Sequence, residues 1–143
     1  MRRLAVAFLV LCLAACGDAR KPSRAEQQAT ARAFAVAVVA GRGPAARALV
    51  AKHADPAVLE QAKRLSADFA EHRGRLVGHA RQTGAAQWAF AYRRRINGKK
   101  GAFSRERGYL VVDTADGVTF AAIIGRVIDY STHHDSVLLP SKR

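Results

Sequence analysis

Residues 85–95 read Ala85-Ala86-Gln87-Trp88-Ala89-Phe90-Ala91-Tyr92-Arg93-Arg94-Arg95, a stretch in which large aromatic residues alternate with alanines. Successive side chains of a strand point to opposite faces, so Trp88, Phe90 and Tyr92 share one face while Ala89 and Ala91 share the other. A strand with one bulky and one small face packs its bulky side on helices. The chain from here onward is therefore predicted to form a sheet, and what precedes it must supply the helices.

Downstream, Asn97-Gly98 with Lys99, Lys100 and Gly101 carries the turn chemistry of a hairpin, because Asn and Gly tolerate the left-handed backbone that a tight reversal needs. Phe103 to Asp113 follows as a strand holding Tyr109, Leu110, Val111 and Val112. Asp116-Gly117 is a second hairpin signal, and Val118 to Tyr130 reads as the longest strand. Gly125 inside it marks a bulge or bend. Residues 131–143 show no period and read as a C-terminal tail.

Upstream, Arg75 to Thr83 is a weak strand closed by Gly84. Before Gly74 the period is helical. Asp55-Pro56 pairs an N-cap with a proline at the first helical position, and Val58, Ala62, Leu65, Phe69 and His72 then fall on one face. A shorter helix runs from Pro44 through about Lys52, anchored by Leu49. Ser23 with Glu26 three residues later is a capping box, which starts a first helix over 23–40 with Phe34 and Val38 on its apolar side. The expected fold class is α+β: three N-terminal helices packed on a curved four-stranded antiparallel meander, one domain over residues 23–130.

The N-terminus has a different character. Arg2 and Arg3 precede a ten-residue apolar run, Leu4 to Leu13, too short for a bilayer span of about 20 residues, so it reads as a signal peptide's apolar region. The run ends Leu13-Ala14-Ala15-Cys16, which resembles the lipobox of bacterial lipoproteins. The resemblance implies cleavage after residue 15, lipidation (palmitate included) of Cys16, and a tether over residues 16–22. It places the mature protein at the cell envelope, facing the periplasm. Gly17 after the cysteine favours the outer membrane by the sorting pattern of that family, although Asp18 is read by some bacteria as an inner-membrane signal. Cys12 falls in the discarded segment, so no disulfide framework, zinc-type cysteine cluster or thiol nucleophile is expected.

The order of helices, the turn Ala40-Gly41-Arg42-Gly43-Pro44 and the following meander are similar to the cone-shaped fold shared by nuclear transport factor two and ketosteroid isomerase. A cystatin-like fold, with one helix on a meander, is the competing arrangement. In the enzymes of the cone family a pocket between helices and sheet holds an aspartate base. Here Asp68 flanks the core face of the third helix, and no second carboxylate stands at a spacing that would pair with it. Catalysis is accordingly not expected, and no cofactor is implied.

The 143-residue chain carries a formal charge of +13, and its mature part, less Arg2 and Arg3, carries +11. Such a charge attracts polyanions and opposes self-association. In an exported protein the polyanion is not nucleic acid but an acidic protein or an anionic glycolipid. Residues 93–107 concentrate the charge: Arg93, Arg94, Arg95, Lys99, Lys100, Arg105 and Arg107 against Glu106 alone, a local +6. This hairpin is the expected partner-binding element, with a solvated edge that resists strand pairing as the bland alternative. The expected function is that of a lipid-anchored periplasmic binding protein, one specific form being an immunity-type lipoprotein that neutralises a toxin. The alternative is a small-ligand carrier or enzyme with a pocket lined by Trp88, Phe90 and Tyr92, although such aromatic stripes are more often core. His133-His134-Asp135 is the densest ligand-type cluster, but adjacent histidines in extended chain point apart, and no metal site is expected.

Overall fold

The computed structural model describes residues 20–98 and 103–131. Three helices come first: α1 (Arg24–Val39), α2 (Gly43–Ala48) and α3 (Pro56–Glu71). Five strands follow: β1 (Gly74–Leu76), β2 (Arg81–Gly84), β3 (Gln87–Asn97), β4 (Phe103–Ala115) and β5 (Gly117–Ser131). All pair antiparallel in one open sheet of order β1-β3-β4-β5, with β2 also on β3. The protein is α+β, helices first and sheet second.

The helix starts follow from local chemistry. Ser23 accepts from the Glu26 amide while the Glu26 carboxylate accepts from the Ser23 amide, satisfying two donors that the first turn leaves open. Asp55 accepts from the Ala57 amide at 2.8 Å, and Pro56 costs the third helix no hydrogen bond at its first position. The second helix is shorter than its sequence pattern, ending at Ala48, because the chain turns there to make a parallel bridge between Val50 and Val118.

The predicted strand over Arg75 to Thr83 is two strands. Leu76 pairs with Tyr92 and Arg81 with Ala89, so four residues on one side face two on the other. The excess loops out through Gly78, and pairing resumes at Arg81. The sheet thus has five strands instead of four.

One face of the sheet carries the core. Trp88, Phe90 and Tyr92 of β3, Leu110 and Val112 of β4, and Val118 and Ala121 of β5 are buried with Ala31, Phe34 and Val38 of α1 and Leu65 and Phe69 of α3. The helix α1 lies across β1, β3, β4 and β5, and α3 packs on β5. Alternation of bulky and small residues along 85–95 therefore predicts both the strand and the side on which the helices lie. At Gly125 (φ +60°) the register slips: Arg107 pairs with Val127 and Tyr109 with Ile124, leaving Gly125 and Arg126 opposite Gly108 alone. That is a bulge, and it turns the Arg126 side chain to the core face.

Candidate functional site

The alternation that buries Trp88, Phe90 and Tyr92 continues to Arg94, which lies on the core face and not on the surface. Its side chain is 3% exposed, so Arg94 does not belong to the partner-binding set expected from the sequence. The residue directly opposite is Glu106, 1% exposed and again on the core face by period two. Arg94 Nη2 donates to Glu106 Oε2 at 3.1 Å and to Asp68 Oδ2 at 3.0 Å, and Nη1 donates to the Asp68 carbonyl at 2.9 Å. The guanidinium also lies 4.4 Å over the Phe69 ring, which meets Tyr92 edge-on.

Two further groups complete the cluster. The Tyr92 hydroxyl donates to Glu106 Oε1 at 2.8 Å, and burial together with the adjacent carboxylate pushes its pKa up to about 12. Arg126, delivered by the bulge, donates to Asp68 Oδ2 at 3.1 Å and places Nε 3.4 Å from Glu106 Oε1. Burial pulls the Arg126 pKa down, but Glu106, Tyr92 and Asp68 outweigh it and hold the pKa above its ordinary value. Room for the phenol ring comes from Gly108, where an added Cβ would lie 2.9 Å from the Tyr92 oxygen. Asp68 and Glu106, carboxylates that sequence spacing leaves apart, are brought onto one guanidinium by the packing of α3 on the sheet, where Phe69 meets Tyr92 and Arg94 of β3. Both carboxylates are neutralised by arginine, and the arrangement pins the third helix to the sheet.

The other arginines of residues 93–107, together with Arg75, lie on the opposite face. Arg75, Arg93 and Arg107 occupy one rung across β1, β3 and β4, and Arg95 and Arg105 occupy the next. Neighbouring strands are about 4.8 Å apart and like-facing residues about 7 Å apart along a strand, so five guanidiniums share a small grid. Like charges placed directly opposite destabilise a sheet. Among the described residues the ion pairs all belong to Arg94 and Arg126, and none reaches these five. Arg95 and Arg105 stack on the Phe103 ring, at 4.1 and 5.5 Å. A cleft of about 640 Å³ runs over both rungs, lined also by Arg73 and Asp129. Guanidiniums in this density can grip phosphate or carboxylate through paired hydrogen bonds.

Of the expected partner-binding residues, Arg93, Arg95, Arg105 and Arg107 are thus together and exposed, Arg94 is internal, and Lys99 and Lys100 lie outside the described residues. Sequence reasoning missed Arg75, aligned with Arg93 only by the β1 register, and Arg126, turned inward only by the bulge. Trp88, Phe90 and Tyr92 are core residues, each buried against helices, and do not line the 640 Å³ cleft. Cys16 and His133-His134-Asp135 lie outside the described residues. Among the described residues no group of three or more His, Cys, Asp or Glu could hold a metal, and no helix is long and apolar enough to cross a membrane. No protein-family model matches the chain, and no curated protein matches it.

Proposed function

We propose that this is a non-catalytic, lipid-anchored lipoprotein of the cell envelope that binds an anionic partner through the outer face of its sheet. The observation that carries the reading is the pair of arginine rungs, Arg75-Arg93-Arg107 and Arg95-Arg105, which set five like charges side by side with one acid, Asp129 opposite Arg105, on the same rungs and no ion pair to any of the five among the described residues. A protein tolerates that repulsion where an anion relieves it. The lipobox over residues 13–16 supports the anchor and the periplasmic location, and the helix layer with the Gly125 bulge is in keeping with a cone-like fold. The two carboxylates nearest the core are each held by arginine, which leaves neither as a free base.

The test is crosslinking in cells, with the wild-type chain beside R93E/R95E/R105E/R107E. Arg94 is left in place because its loss would damage the core. A partner captured by the wild type and lost by the equally folded variant supports the reading. Equal capture by both refutes it.

A further inference from the structure

The outer face holds more than arginines. Tyr109 and Ile124 pair across β4 and β5, Phe120 lies beyond them, and Val127 stands beside Arg107; all four are between 42% and 53% exposed. With the half-buried Ala91 and Ala122 between them, and Ala89 and Val111 buried beneath, they form an apolar patch continuous with the basic rungs. Among the described residues the acids of this face are Asp113 and Asp129. Resting on the anion-binding reading, we infer that the occupant of the face is the phosphate-bearing surface of a lipid leaflet, on which the sheet lies flat.

Three observations select this occupant. A second copy would bring the same arginines against themselves in a mature chain whose charge is +11, the +13 of the full sequence less Arg2 and Arg3, so self-pairing through this face is repulsive. An anionic leaflet satisfies both halves of the face at once: its phosphates meet the guanidiniums, and the apolar side chains enter the headgroup boundary to a depth of about 5–10 Å. Geometry also brings the two together. With a lipid on Cys16, seven residues separate the bilayer from Ser23, and at about 3.5 Å each they allow the domain no more than roughly 25 Å of reach. Such a tether makes docking an intramolecular event with a high effective concentration.

The full chain reconstituted in vesicles tests this with a depth-dependent quencher. Ile124→Trp reports from the outer face and Leu59→Trp from the exposed side of α3; Trp88, buried in the core, gives a constant background. In vesicles of brominated phosphatidylglycerol the Trp introduced at 124 is expected to be quenched and the one at 59 not. Quenching at 124 is expected to fade in brominated phosphatidylcholine and in 1 M salt, where the Debye length shrinks to about 3 Å. Each arginine neutralised lowers docking by about fivefold, so R93Q/R95Q/R105Q/R107Q abolishes the signal. Equal quenching at both positions, or none at 124 in the anionic vesicles, overturns the inference. If quenching at 124 is absent while polyphosphate still protects the chain against unfolding through the same arginines, anion binding stands and the lipid surface falls. An acidic protein captured in cells together with an unquenched Trp at 124 gives the face to a protein partner instead. Loss of both quenching and protection removes the two readings together.

Discussion

Arg94→Met offers the sharpest test of how the helix layer is held to the sheet. Arg94 is nearly solvent-free and serves Glu106, the carboxylate and carbonyl of Asp68, and the Phe69 ring. Its removal leaves Glu106, 1% exposed, with only Tyr92 and Arg126 as partners. Breaking one side of a buried ion pair costs about 3–5 kcal/mol. Because Arg126 remains 3.4 Å from the stranded carboxylate, the lower end applies, about 3 kcal/mol. Against a whole-domain stability of about 5–15 kcal/mol this leaves a marginal fold. In urea, with a slope of about 1–3 kcal/mol per M, the midpoint should fall by about 1–3 M, read by circular dichroism and Trp88 fluorescence. The double variant Arg94→Met/Glu106→Leu removes both charges and should regain most of the loss, since apolar replacements of buried pairs are often neutral or stabilising. A midpoint unchanged in Arg94→Met, or a double variant weaker than the single, would refute the reasoning.

Other outcomes follow from the same geometry. Gly108→Ala presses a methyl against the Tyr92 ring and should cost about 1–3 kcal/mol by denaturant unfolding, a loss that Tyr92→Leu in the same chain should relieve. Tyr92 has a folded pKa raised to about 12 from 10, so its contribution is complete below pH 10 and is lost as pH rises through 12. Absorbance titration should show a late tyrosinate step that Tyr92→Phe removes; all three tyrosines ionising together would contradict it. Ser23→Ala should lower stability by about 1 kcal/mol, as loss of an N-cap does. The Glu26 carboxyl, held below its ordinary 4.5 first by the Ser23 amide, contributes above that value and loses its contribution as pH falls through the lowered one, visible as reduced α1 protection in amide exchange.

Periodicity made the fold legible and register made the site only half so. The switch from helical spacing before Gly74 to alternation after Gln87 places the helices and the long strands, and Ser23 and Asp55-Pro56 mark their starts. Charge counting, by contrast, groups Arg93, Arg94 and Arg95 as one run. Carrying the alternation of Trp88, Phe90 and Tyr92 one step further separates Arg94 from its neighbours, and the same step along β4 puts Glu106 opposite it. Arg75 and Arg126 were beyond that rule, because one depends on which strand β1 joins and the other on a bulge that shifts parity. Asp68 meets Glu106 only through tertiary packing, which no spacing within α3 encodes.

The central claim is that the outer-face arginines bind an anion and do not hold the fold. Thermal unfolding of the full chain at low ionic strength, with and without inorganic polyphosphate, tests it most directly for the wild type beside R93Q/R95Q/R105Q/R107Q. The account predicts that polyphosphate raises the wild-type Tm, as any ligand of the folded state must, and leaves the Tm of the variant unmoved. It also predicts that the variant alone is as stable as the wild type or more so, because like-charge repulsion across the rungs is gone. An equal rise in both chains, or no rise in the wild type, would contradict it.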